Sequence, residues 1–95
     1  MAIRRSETLE LRSSTDIVAA RHVVRTWSVD AGFSLVDQTK LVTAASELAR
    51  NTLDYGGGGT MRIELLEEGV RRGIRLTFQG QGPGIGDVEV ALRGG

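Results

Sequence analysis

The sequence predicts a two-layer α/β sandwich, with helices packed on one face of a mixed β-sheet. Three observations lead to this prediction. Short segments near the N-terminus and in the second half alternate polar and apolar residues, as strands do. Two longer segments between them repeat apolar residues at helical spacing, and glycine-rich stretches interrupt the second half. The chain has 95 residues, so we expect one domain over residues 1–95.

The first part of the chain predicts a strand followed by a helix. Residues 7–12 alternate polar and apolar side chains, which indicates an edge or outer strand. Residues 13–16 read Ser-Ser-Thr-Asp and offer several helix N-cap side chains. A helix is expected to follow them and to end near Gly32. Its buried side is formed by Ile17, Ala20, Val24 and Trp27.

A second, longer helix is predicted from Leu35 to Tyr55. Ser34 can cap its N-terminus, and Asp37 stands at the position where a capping box usually has Glu or Gln. Apolar residues at helical spacing define the side that is buried. This buried stripe comprises Leu41, Ala45 and Leu48, with Thr52 in line.

The second half predicts a β-hairpin and a short third helix. Residues 56–59 are four consecutive glycines, which end the long helix. Residues 61–65 and 74–78 alternate as two strands around a turn at Glu68-Gly69. Val88, Ala91 and Leu92 have the spacing of a short helix, which completes an expected order β-α-α-β-β-α.

Composition excludes several classes of function. Twelve basic and twelve acidic residues cancel, so the basic excess typical of nucleic-acid-binding proteins is absent and no nucleic-acid partner is expected. There is no cysteine, hence no disulfide framework and no thiolate metal site. His22 is the single histidine, and we expect it to be structural or on the surface. No signal peptide or bilayer-spanning run is present, so a cytoplasmic protein without a membrane partner is expected.

Glu47 and Asn51 stand four residues apart on the second predicted helix and should face the same way. An amide oxygen such as that of Asn51 can ligate Mg²⁺, which prefers oxygen ligands and shares them with phosphates. Glu47 can accept a proton from a hydroxyl or water held near a phosphate. The alternative is an ordinary solvent-facing polar pair, and from spacing alone this alternative is the commoner one.

Neither glycine segment completes a known phosphate-binding motif. Residues 56–59 lead into Thr60-Met61 without a Walker lysine, so a helix stop and loop is the simpler interpretation. The second segment, Gly80-Gln81-Gly82-Pro83-Gly84-Ile85-Gly86, follows a predicted strand as a dinucleotide-binding turn would. Counted from Gly80 or from Gly82, the third glycine of that fingerprint is missing.

In combination, these segments resemble the ATP-binding fold of the GHKL superfamily, also called the Bergerat fold. The resemblance rests on Glu47-x-x-x-Asn51, a loop, a hairpin and then Gly82-x-Gly84. Residues 44–51, Ala-Ala-Ser-Glu-Leu-Ala-Arg-Asn, look most like the anti-sigma-factor and stressosome switch serine/threonine kinases of bacterial partner-switching modules. The resemblance covers the whole chain in its order of elements.

The resemblance implies a protein kinase that uses Mg²⁺ and ATP. Asn51 would hold the metal, and Glu47 would be the general base toward the substrate hydroxyl. Gly80, Gly82, Gly84 and Ile85 would line the nucleotide on its adenine side. The substrate would be a serine or threonine of a STAS-domain antagonist protein. A downstream phosphatase or sigma-factor regulator is a further implied partner.

The sequence departs from the family pattern at two points. The family reads Asp-x-Gly-x-Gly, with the aspartate accepting a hydrogen bond from the adenine amino group, and this position is Gly80 here. The glycine-rich ATP lid and a later strand of the family lie beyond the helix expected after Gly84, and the chain ends before or within that lid, so we expect a C-terminally incomplete domain. The departure at Gly80 leaves an alternative open: a family member that docks partner proteins without transferring phosphate.

Overall fold

The computed structural model describes residues 2–81 and 88–94. The chain order is β1 (Ala2–Leu11), α1 (Ser14–Asp30), α2 (Leu35–Gly56), β2 (Gly59–Glu68), β3 (Arg71–Gly80) and β4 (Val88–Gly94). The four strands form one sheet in the order β1-β2-β3-β4, and each neighbouring pair is antiparallel. Both helices pack on one face of this sheet. The predicted two-layer α/β sandwich is therefore confirmed, with an antiparallel sheet in place of a mixed one.

The predicted third helix is wrong, because residues 88–94 form strand β4. The register pairs Phe78 with Val88 and Ile74 with Leu92, so β4 continues the sheet beyond β3. Residues 88–92 read apolar, acidic, apolar, Ala, apolar, and this order fits a strand period as well as a helical one. Pairing with β3 decides between them, since β3 would otherwise end the sheet with unpaired backbone groups.

Both predicted helix starts are confirmed. The Ser13 hydroxyl accepts a hydrogen bond from the Asp16 backbone N–H at 3.4 Å. The Ser34 hydroxyl accepts one from the Asp37 backbone N–H at 3.1 Å. Each bond satisfies a donor that the first turn of a helix leaves without an intrahelical partner. Local sequence therefore sets where α1 and α2 begin.

The core lies between the helices and the sheet. The predicted stripe of α1 is buried throughout, and Trp27 is 3% exposed. The side chains of Leu41 and Ala45 are buried on α2, whereas Leu48 is only partly buried. The strands contribute alternate residues to the same core: Leu11, Met61, Ile63, Ile74, Leu76 and Phe78.

Three of the four glycines at residues 56–59 are favoured by backbone conformation or by lack of space for a side chain. Gly57 caps the helix at φ 69° and Gly58 follows at φ 92°, a region that L side chains rarely adopt. Gly59 opens β2 opposite Gly80, and a Cβ on Gly59 would lie 1.9 Å from the Gln79 carbonyl oxygen. The same Cβ would lie 2.9 Å from the Thr52 methyl carbon. The helix-stop interpretation of this segment is confirmed, and at Gly59 there is no room for a Cβ between the backbone of β3 and Thr52 of α2.

The face of the sheet turned away from the helices, hereafter the helix-free face, carries an ion pair in which the carboxylate is buried and the guanidinium is partly exposed. Glu64 on β2 lies directly opposite Arg75 on β3, and its carboxylate accepts two hydrogen bonds from that guanidinium, at 2.8 and 3.1 Å. Glu64 is 4% exposed. The hydrogen bonds from Arg75 lower the pKa of Glu64 despite the opposing effect of desolvation.

We predict that Gly59→Ala destabilises the fold by about 1–3 kcal/mol or more, because the added methyl group collides with backbone. Gly57→Asn is the matched control, since asparagine tolerates the left-handed conformation and Gly57 has nothing within 4 Å of its Cβ position. Urea unfolding followed by circular dichroism measures both variants. Equal midpoints for Gly59→Ala and wild type would contradict the close approach.

Glu64→Gln is expected to lower the free energy of unfolding at neutral pH by about 1–2 kcal/mol. Because the folded-state pKa of Glu64 lies below its ordinary value of 4.5, its contribution is complete above that pH. The contribution is lost as pH falls through the lowered pKa, so wild type and variant should converge in acid. Glu10→Gln removes an exposed pair with Arg12 and should change little at any pH. A constant gap between wild type and Glu64→Gln across the acid range would refute this account.

Candidate functional site

The candidate site lies on the outer face of α2. Glu47 and Asn51 are both exposed, one helical turn apart. The residues that α2 buries near them, Ala45, Ala49 and Thr52, lie on other sides of the helix. The structure therefore places the predicted carboxylate and amide on one accessible face, as the sequence predicted.

Core packing sets the rotation of α2, and polar contacts join it to α1. An Arg50 guanidinium nitrogen donates to the Ser14 hydroxyl at 3.4 Å, and an Arg25 guanidinium nitrogen donates to the Gln38 amide oxygen at 3.3 Å. These two contacts lie at opposite ends of the helix pair, so α1 and α2 run antiparallel. The Thr52 hydroxyl donates to the Leu48 carbonyl at 2.8 Å, which satisfies this buried hydroxyl within the helix. Glu47 and Asn51 thus project from a helix that is held along its length.

Gly80 lies at the same end of the molecule as Asn51. Gly80 ends β3 opposite Gly59, and the next residue, Gln81, donates its backbone N–H to the Gly58 carbonyl at 3.1 Å. Gly58 in turn donates to the Thr52 carbonyl at 3.2 Å, and Thr52 follows Asn51 in the chain. A continuous set of backbone contacts thus joins the end of β3 to the last turns of α2.

The other predicted nucleotide residues, Gly82, Gly84 and Ile85, lie outside the described residues. Their convergence with Asn51 on one cavity remains a prediction. Hollows of about 280 and 310 Å³ occur among the described residues, and most of their lining residues belong to the helix-free face. Glu47, Asn51 and Gly80 line neither of them.

Residues 2–81 and 88–94 contain no group of three or more His, Asp or Glu side chains that could hold a metal ion by themselves. A magnesium ion at Asn51 would therefore need most of its oxygen ligands from bound phosphates and water. Mg²⁺ is commonly bound in this way, with one or two protein oxygens and the phosphates of a nucleotide. An exposed amide beside an exposed carboxylate fits this requirement.

Tyr55, the predicted last residue of the second helix, is an exposed side chain that also belongs to this face. It follows Asn51 by four residues and is 76% exposed, so it extends the row begun by Glu47 and Asn51. The repeated spacing of four would have been enough to find it. His22 is exposed on α1, in agreement with the surface role expected for it.

Comparison with known proteins finds one curated relative. The chain is 38% identical over 87 residues to the serine/threonine-protein kinase RsbT of Bacillus subtilis (strain 168). The match covers 92% of this chain and 65% of RsbT, so the chain spans just under two thirds of that protein's length. No family model and no solved structure matches the chain. In the described part of the chain, neither helix has the length and apolar character needed to cross a membrane.

Proposed function

We propose that this chain is the ATP-binding part of a serine/threonine-protein kinase in a bacterial partner-switching stress-response module. The observation that carries the proposal is the similarity to RsbT over 92% of the chain, together with Glu47 and Asn51 on one open face of α2. The sequence resemblance to the GHKL ATP-binding fold supports the same assignment. Three roles in the proposed reaction are assigned to residues of this chain: the general base, the metal ligand and the contacts to adenine.

The reaction is transfer of the γ-phosphoryl group of ATP to a serine or threonine hydroxyl. The hydroxyl oxygen forms a bond to the γ-phosphorus while the bond from that phosphorus to the β,γ-bridging oxygen breaks, and ADP leaves. The hydroxyl proton passes to the carboxylate of Glu47, which then releases it to water. Glu47 suits this role because its carboxylate is accessible and lies one turn from Asn51.

Asn51 is the residue we propose for holding Mg²⁺ with the phosphates. When bound, the metal would neutralise charge on the phosphate oxygens. The contribution of the chain is the Asn51 amide oxygen, aimed outward by a helix whose opposite sides pack on α1 and the sheet. Gly82, Gly84 and Ile85 are proposed to contact the nucleotide on its adenine side.

The proposed substrate is a STAS-domain antagonist protein, which phosphorylation would release. A downstream phosphatase or sigma-factor regulator is a second proposed partner.

A specific observation favours a second candidate function, a docking switch without catalysis. Gly80 offers no carboxylate for the adenine amino group, so nucleotide affinity is expected to be low.

Two substitutions on α2 separate nucleotide binding from transfer. Asn51→Ala should weaken Mg²⁺-ATP binding by at least about tenfold, because it removes the proposed metal ligand. Glu47→Gln should keep binding and reduce phosphoryl transfer by roughly 10²–10⁴-fold, because the general base is lost. Thr39→Ala, at an exposed position toward the other end of α2, is the control and should change neither.

Calorimetry should follow binding, and phosphoprotein mass spectrometry should follow transfer. Trp27 fluorescence is less suitable, because Trp27 is buried beneath Arg5 near the far end of the helix pair from Asn51. A wild-type protein that forms a complex with its partner but adds no phosphate would favour the docking function. Unchanged ATP affinity in Asn51→Ala would refute the metal assignment.

Gly80→Asp is expected to tighten ATP binding on the order of ten- to hundred-fold, because it supplies a charged acceptor for the adenine amino group. Gly80→Asn is the matched control, with similar size and no charge. GTP lacks that amino group, so its affinity should not improve in either variant. Titration calorimetry with both nucleotides measures the effect, and equal gains for ATP and GTP would contradict adenine recognition at this position.

A further inference from the structure

Three apolar side chains are exposed around the turn between α1 and α2. Val29 is 53% exposed, Leu35 72% and Val36 64%. We call these three residues the turn patch. Single exposed apolar residues are common, but these three lie within eight positions at one end of the helix pair. The fold does not need them for its core, because Ala31 and Phe33 supply the buried apolar contacts of the same turn.

The turn patch is continuous with the face of α2 that carries Glu47. Val36 and Glu47 are eleven residues apart, which is close to three full helical turns, so they face nearly the same direction. Their separation along the helix axis is about 16 Å at 1.5 Å per residue. Lys40 and Thr43 lie between them on this face, and both are exposed. One open surface therefore runs from an apolar end to the proposed general base.

We infer that the phosphoacceptor protein docks along this surface, anchored on the turn patch, and presents its hydroxyl at Glu47. This inference rests on the proposed kinase function. A nucleotide is a poor occupant of the turn patch, because aliphatic side chains offer nothing to phosphates and Asn51 lies beyond Glu47 at the other end. A second copy seated here would cover the approach to Glu47. The acceptor is the one reactant that must come to Glu47 from outside.

Charges beside the turn patch indicate the chemistry of the docking protein. Asp30 follows Val29 and Asp37 follows Val36, and both residues are at least partly exposed. Lys40, one turn after Val36 on the same face, adds one positive charge. An apolar contact bordered by these residues suits a partner surface with apolar side chains, lysine or arginine opposite the two aspartates, and a carboxylate opposite Lys40. The acceptor is therefore expected to bring such a surface to within about 16 Å of its phosphorylated residue.

The test uses the double variant Leu35→Ser/Val36→Ser, with Val18→Ser as the control. Val18 is 62% exposed on the first turns of α1, so it matches the double variant in exposure but lies away from the turn patch. The probes are the purified STAS-domain proteins of the source organism, titrated individually without nucleotide. The double variant should lose on the order of tenfold or more in affinity for the acceptor, the loss typical of an anchoring residue. Its KM for the acceptor should rise while its kcat and its affinity for ATP stay unchanged.

Several outcomes overturn the inference, and they differ from failure of the proposed function. Equal acceptor affinity in wild type and double variant removes the docking surface and leaves the kinase assignment intact. A wild-type dimer that the double variant converts to monomer would assign the turn patch to a second copy instead. A wild-type protein that neither binds ATP nor forms a complex with any STAS-domain protein rejects the proposed function itself. If the double variant unfolds on heating earlier than wild type, Val36→Lys repeats the test with a single soluble side chain.

Discussion

Close approach at Gly59 sets the start of β2 against the backbone of β3 and against Thr52 of α2. At this residue β2 begins directly beside the backbone of β3, and a Thr52 methyl group from α2 lies against the same point. No side chain larger than hydrogen fits there. The preceding glycines turn the chain through left-handed conformations, so α2 can end and β2 can begin within two residues. Gly80 lies opposite Gly59, and Asn51 precedes Thr52 in the chain, so both residues lie beside this contact.

The rotation of α2 is the second constraint on function. Its core-facing residues pack toward α1 and the sheet. Because this packing sets the rotation of the helix, Glu47 and Asn51 lie on the side exposed to solvent. A surface helix exposes polar residues in any protein, so exposure alone does not mark a site. Here the carboxylate, the amide and the exposed aromatic ring of Tyr55 form one row that ends beside the glycine contact.

Much of the fold could be predicted from local sequence. Ser13 and Ser34 cap their helices as their positions suggested, and the apolar stripes of both helices are long enough to show a single period. The helix predicted from Val88, Ala91 and Leu92 is wrong because a segment of seven residues fits the helical period and the strand period equally well. Pairing with β3 makes it a strand. The relation between Asn51 and Gly80 was inferred from resemblance, since no local pattern links residues on α2 and β3. The roles proposed for Glu47 and Asn51 involve bound Mg²⁺ and ATP, and no local sequence pattern encodes how these ligands sit against the two side chains.

The order of the strands has a consequence for how the chain folds. β2, β3 and β4 are successive neighbours joined by short connections, whereas β1 pairs with β2 across both helices, with Leu11 opposite Gly59. Closing a connection of nearly fifty residues costs more chain entropy than closing a hairpin. During synthesis β1 leaves the ribosome first, yet it has no partner until residues 59–68 have followed. Charged side chains oppose the pairing of an exposed strand with other chains. Before β2 is available, β1 carries four of them: Arg4, Arg5, Glu7 and Glu10.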